Sequence, residues 1–171
     1  MTDYIEQYKQ YHENNNHYQG DNLAPQLPHI LELIQTTQST TLLDYGCGKG
    51  NQWTNNILPV STPTLYDPAV PEHEKKPKGT YHGVISTDVM EHIPEGQIPQ
   101  VFQEISKYAT RFVFLAIATD PAIAILPNGE NAHCTIKPLD WWVDEWWRCA
   151  VKDDITVHIK TYGQYEGYQV I

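Results

Sequence analysis

Basic residues are scarce in this chain. Eleven Lys and Arg stand against 21 Asp and Glu, a formal net charge of −10. That deficit argues against a protein whose main task is gripping phosphate backbones, which needs a basic face, although a local patch on an acidic protein leaves the option open. Long apolar runs are missing too. No stretch reaches the roughly 20 residues of a membrane-spanning helix, and the polar start MTDYIEQYKQYHENNNHYQG has no secretory leader's apolar segment. Cysteine is sparse: Cys47, Cys134 and Cys149 are odd in number and lack metal-type spacing, so free thiols in a cytoplasm are expected. Internal repeats and low-complexity linkers are absent. What remains is 171 residues, 40% hydrophobic and 19% charged, enough for one domain (1–171) with a sizeable core.

Periodicity predicts alternating helices and strands. Tyr4, Tyr8 and Tyr11 share one face of a helix over 3–14. Leu27, Ile30, Leu31 and Ile34 form the stripe of a second helix over 25–35. Strands are expected at 41–45, 64–67, 83–87 and 111–118, the last a near-continuous apolar run suited to burial on both faces. Helices are expected at 51–58, 95–109 and 139–150, and a closing hairpin from 155–162 and 165–171. Alternating strands and helices imply a mostly parallel sheet with helices on both faces. Only 16 residues separate Asp67 from Val84, among them Pro68, Pro71, Pro77 and Gly79. A parallel crossover takes about 10–12 residues before its strand is counted. One helix and one edge strand are therefore expected to be reduced or missing, leaving six strands.

The strongest motif is Leu42-Leu43-Asp44-Tyr45-Gly46-Cys47-Gly48-Lys49-Gly50. A glycine turn between a buried strand and a helix lets a ligand approach the backbone without Cβ collisions. Asp67 closes the next strand 23 residues after Asp44, where an acid can accept both hydroxyls of a ribose. Thr87-Asp88-Val89-Met90-Glu91-His92 leaves the carboxyl end of the central strand and so faces the same crevice. The polar stretch 119–138 leaves the next strand end and can roof the crevice. Trp142 and Trp146, four residues apart, read mainly as the core face of a helix.

At these residues the chain resembles the class I methyltransferases that use S-adenosylmethionine. LLDYGCGKG resembles their first motif, LYDP the acidic second, and TDVMEHIP the strand-four motif of the branch that contains D-V-L-E-H. PNGENAHCTIKPLDWW looks like a segment of small bacterial and phage-type members. The resemblance runs from Leu42 to Trp147. It implies a Rossmann-like α/β sheet, mostly parallel with an antiparallel C-terminal hairpin, and S-adenosylmethionine as cofactor. It assigns Asp44, Gly46, Cys47, Gly48 and Gly50 to the methionine end and Asp67 to the ribose. Asp88 would lie near the reacting methyl, and Tyr18 would pack over the cofactor. The short stretch 71–79 departs from the pattern and removes the element that normally contacts adenine.

The implied reaction is methyl transfer to an O- or N-nucleophile, with a sugar or small metabolite favoured as acceptor. His92 and His133 are the candidate bases near neutral pH. Asp88, Glu91, His92 and His133 also form a candidate divalent-metal set. Carboxylates at i and i+3 can face one point, and His133 follows the adjacent strand. The acid-x-x-Glu-His pattern resembles the metal motif of ubiquinone-pathway O-methyltransferases and, with a later histidine, that of small-RNA 2′-O-methyltransferases. Asp88 replaces the first glutamate. Residues 1–40 are expected to form a helical lid on a cofactor-binding core, 41–171. Two rival readings stay open: an S-adenosylmethionine enzyme that does not methylate, and a non-catalytic binder. A nicotinamide dehydrogenase is disfavoured, because the turn is G-x-G-x-G rather than G-x-G-x-x-G. No membrane partner is expected, nucleic acid is disfavoured, and the oligomeric state is not readable.

Overall fold

The computed structural model describes residues 3–14, 21–53, 62–151 and 154–171. Six strands form one sheet in the order β2-β1-β3-β4-β5-β6: β1 Leu42–Tyr45, β2 Thr64–Tyr66, β3 Tyr81–Thr87, β4 Ala109–Ala118, β5 Thr156–Tyr162 and β6 Gly167–Val170. All neighbours run parallel except β5 and β6, which pair antiparallel. The four described α-helices are α1 Tyr4–Asn14, α2 Leu27–Thr36, α3 Ile98–Tyr108 and α4 Leu139–Cys149. The expected Rossmann-like sheet is present, and β2 is its edge. Between Asp67 and Gly79 the chain makes only turns and bends, with no helix or strand.

β4 shows why the sheet is central. Its side chains alternate between faces. Val113, Leu115 and Ile117 pack with Phe102, Trp142 and Trp146 of α3 and α4. Phe112, Phe114 and Ala116 pack with Ile30, Leu33 and Ile34 of α2 on the other face. All six of these β4 residues are buried, which explains the unbroken apolar run. Of the four tryptophans of α4, Trp142 and Trp146 are buried, Trp141 is half-buried and Trp147 is 62% exposed.

Element ends differ modestly from the sequence reading. Pro25 lies inside a 3-10 turn, Asp21–Gln26, so α2 starts at Leu27. A second such turn, Glu95–Gln97, precedes α3. The helix expected at 51–58 shows only a 3-10 turn, Asn51–Trp53; residues 54–61 lie outside the described part, as do Tyr18 and Gly20. α2 belongs to the core, while α1 buries none of its residues and crosses the carboxyl end of the sheet.

Trp146→Ala should lower stability by about 3–5 kcal/mol, through lost burial and the cavity left behind. Trp147→Ala should stay within about 0.5 kcal/mol of the parent. Urea unfolding followed by circular dichroism measures both.

Candidate active site

The glycine turn is fastened to the end of β2. The Tyr66 carbonyl accepts the N–H groups of Gly46 (2.7 Å) and Cys47 (3.1 Å). The Gly48 N–H donates to Asp67 Oδ2 at 2.9 Å. Gly46 has φ +86°, and a Cβ there would lie 2.3 Å from a Val89 methyl. Only glycine meets both conditions.

Asp44 lies beneath this turn and is 1% exposed. Its Oδ2 accepts the Trp53 indole N–H at 2.6 Å and the Gln52 amide at 3.2 Å. Its Oδ1 has no hydrogen-bond partner among the described residues. Burial raises the carboxyl to about 6, against the pull of the Trp53 and Gln52 bonds. Asp67 also serves its own turn, since its Oδ1 accepts the Ala69 N–H at 2.8 Å. Each oxygen keeps a second lone pair. Burial pushes the Cys47 thiol up, so it stays a neutral wall.

A cavity of about 360 Å³ opens above these groups. Gly46, Cys47, Gly48, Asp67, Asp88 and His92 line it, while Asp44, Gly50, Glu91 and His133 stand outside its lining. α1 covers it with Tyr4, Tyr8 and Tyr11. Tyr4 donates to Glu130 Oε2 (2.8 Å), Tyr8 to the Ala132 carbonyl (2.5 Å), and Lys9 pairs with Glu74 (3.0 Å). α1 therefore bridges two loops across the opening.

The far end of the cavity was not anticipated. Gln97, Gln100, Val101 and Glu104 line it from α3 and its preceding turn. Glu104 holds Lys76 at 2.8 Å and accepts the Tyr45 hydroxyl at 3.4 Å. Their spacing of 3, 1 and 3 marks one helical face, a signal that was readable. The Trp53–Asp44 bond had no such signal, because the turn alone sets it.

At the opposite end, Asp88 has φ +55°, an uncommon backbone for a non-glycine residue and one that recurs at functional sites. Glu91 is fully buried, and its Oε1 accepts the Ala118 N–H at 3.0 Å. Burial, and then the Asp88 carboxylate beside it, hold its carboxyl well above the usual range. Burial and His133 push the His92 imidazole down to about 4, and burial lowers His133 as well. Their ring centroids are 4.7 Å apart.

Glu91, His92 and His133 bring one ligand atom each within 4.8 Å of the others; Asp88 does not join them. The i, i+3 expectation needs continuous helix. Here the 3-10 turn spans only Met90–His92, and Val89 at φ −131°, ψ −46° breaks the helical geometry between Asp88 and Glu91.

A family model described as methyltransferase domain matches residues 11–161. The chain belongs to this family. Neither a curated protein nor a solved structure matches it significantly. The methyltransferase therefore uses S-adenosylmethionine as its methyl donor. The residues present fit that molecule on structural grounds: an orphaned buried carboxylate oxygen on Asp44, a glycine cradle that a Cβ would fill, and a cavity of suitable size.

The Asp44 carboxyl gives a pH prediction for the ligand-free methyltransferase. Its folded value of about 6 exceeds the ordinary 3.8, so the folded state holds its proton more tightly. Asp44 thus costs no stability below the lower value. It costs progressively more as pH rises to the upper one, by up to about 3 kcal/mol. Asp44→Asn, which keeps an acceptor for Trp53, should be more stable than the parent at pH 8, with the gap closing by pH 4. Thermal unfolding across pH tests this; an equal gap at both ends would refute it.

Proposed function

We propose that this methyltransferase methylates an oxygen or nitrogen of a sugar or small metabolite in the cytoplasm. One observation carries the reading: a cavity runs from the glycine turn above the orphaned Asp44 to the His92 imidazole, and among the described residues α1 and the loop 119–138 roof it. Asp44 Oδ1 takes the ammonium of the methionine moiety, and the Gly46–Gly48 backbone takes its neighbouring atoms. Gly50 supports the turn's exit, while Asp67 receives the ribose hydroxyls. The α3 end, with Gln97, Gln100 and Glu104, takes the adenine. The acceptor then enters at the His92 and His133 end.

The acceptor's lone pair forms a bond to the methyl carbon as the carbon–sulfur bond breaks, its electrons staying on sulfur and the acceptor proton passing to a neutral imidazole or to solvent. Alignment is the chain's main contribution, because the methyl arrives already activated. The neutral imidazoles of His92 and His133 can accept the acceptor's hydrogen bond. The roof formed by α1 and the loop 119–138 bounds the acceptor's size. Cys47, Cys134 and Cys149 form no disulfide, as suits a reducing compartment.

Calorimetry should show S-adenosylmethionine and its demethylated product both binding, and Asp67→Asn weakening each by about 1–3 kcal/mol. Methyl-labelled cofactor, incubated with fractionated cell extract, should label the small-molecule or carbohydrate fraction. Label confined to nucleic acid or protein would overturn the acceptor class. Binding without any transfer would favour a non-catalytic binder.

α1 is proposed as the lid. It has no buried residue and reaches the two rims through the polar side chains Tyr4, Tyr8 and Lys9, the profile of a segment that opens easily. Hydrogen exchange at Tyr4–Asn14 should slow at least about tenfold when cofactor binds. Equal exchange with and without cofactor would remove the lid.

A further inference from the structure

We infer that Glu91, His92 and His133 form a binding site for one divalent first-row transition ion, with Tyr8 of α1 in its outer shell. The inference rests on the reading above only in taking this end of the cavity as the acceptor's.

The argument starts from the ring nitrogens. His92 Nδ1 lies 3.1 Å from the Ala132 carbonyl, and His133 Nδ1 lies 2.5 Å from the Asp120 carbonyl. A carbonyl can only accept, so Nδ1 carries the proton in both rings and Nε2 is a bare lone pair in both. This is the arrangement that ligating histidines use, with the other nitrogen tied to a carbonyl. Glu91 contributes the third lone pair. It is fully buried, its Oε1 is used by the Ala118 N–H, and its Oε2 meets no donor of normal geometry among the described residues, with the Asp88 carboxylate as its neighbour. A buried carboxylate oxygen left so costs free energy.

The three residues converge, each supplying one ligand atom, a ring nitrogen or a carboxylate oxygen, within 4.8 Å of the others. Two imidazoles 4.7 Å apart, both presenting lone pairs, cannot satisfy one another. A cation satisfies all three at once. Bonds of about 2.1 Å would draw the atoms to about 3.4 Å apart, a small side-chain rotation for the half-buried His133. Two nitrogens and one carboxylate select a borderline ion such as Zn(II), Co(II) or Fe(II) over Mg(II) or Ca(II).

The scaffold pins these ligands from two directions. The Thr135 N–H donates to the Glu91 carbonyl at 3.0 Å and its hydroxyl to the Ile93 carbonyl at 2.6 Å, which ties the His133 loop to the turn bearing Glu91 and His92. Tyr8 then locks the outer side, its hydroxyl 2.9 Å from His92 Nδ1 and 2.5 Å from the Ala132 carbonyl. Three protein ligands leave positions free for a further donor, and of the three residues His92 lines the cavity. A hydroxyl oxygen fits such a position, and coordination there would lower its pKa. The site therefore points to a hydroxyl-bearing acceptor.

The test titrates Co(II) into tag-free protein stripped with a chelator. One equivalent per chain should bind and give the visible ligand-field absorption of a nitrogen-ligated ion. His133→Ala and Glu91→Gln should abolish that spectrum, and Tyr8→Phe should weaken Co(II) by about 10-fold. Circular dichroism and calorimetry with S-adenosylhomocysteine show whether each variant is folded and keeps its cofactor site. No Co(II) binding by the parent protein, or an unchanged spectrum in folded His133→Ala, overturns the metal site. Failure of S-adenosylhomocysteine to bind the parent would instead sink the cofactor assignment.

Discussion

Two carboxylates sealed from water govern this molecule. Asp44 is 1% exposed and Glu91 is fully buried, and each leaves one oxygen without a partner among the described residues. Burying a charge this way is unfavourable, so the surrounding fold must hold the chain in place against the tendency to hydrate it. The parallel pairing of β1, β3 and β4 does so, with apolar layers pressed on both faces. Each unpartnered oxygen lowers the stability of the empty protein, a cost that folds commonly carry at their sites.

The carboxyl end of the sheet also gathers chain segments that are distant in sequence. The Tyr66 carbonyl and the Asp67 carboxylate tie the glycine turn to β2. Glu91 ties the turn after β3 to β4 through the Ala118 N–H, and ties the long loop to itself through Thr135. α1 then reaches both rims with Tyr4, Tyr8 and Lys9. The ties made by Tyr66, Asp67 and the Ala118 N–H lie at strand carboxyl ends, where the backbone leaves regular pairing and its groups need other partners.

Much of this was legible before any coordinates. The apolar run of β4 demanded burial on both faces, and it has it. The short, proline-rich stretch after Asp67 left no room for a crossover, and the sheet does end at β2. The glycine turn and the acid at the end of β2 announced a nucleotide-sized crevice. Less was legible where geometry depends on irregular backbone. Val89 breaks the helix that would have aligned Asp88 with Glu91, and no pattern of residue types foretells that torsion. Trp53 reaching Asp44, and Tyr8 reaching Ala132 across 124 positions, are contacts that spacing cannot reveal.

The sequence by itself determined the alternation of strands and helices, the glycine turn and the acids at the ends of β1 and β2, because those follow from local sterics and from periodicities of 2 and 3.6 residues. Tertiary structure alone decided that α2 belongs to the core and α1 does not, that the polar face of α3 closes one end of the cavity, and that Glu91 meets His92 and His133 without Asp88. Those outcomes depend on how distant segments share space at the end of the sheet, where a single torsion redirects a side chain by several ångströms.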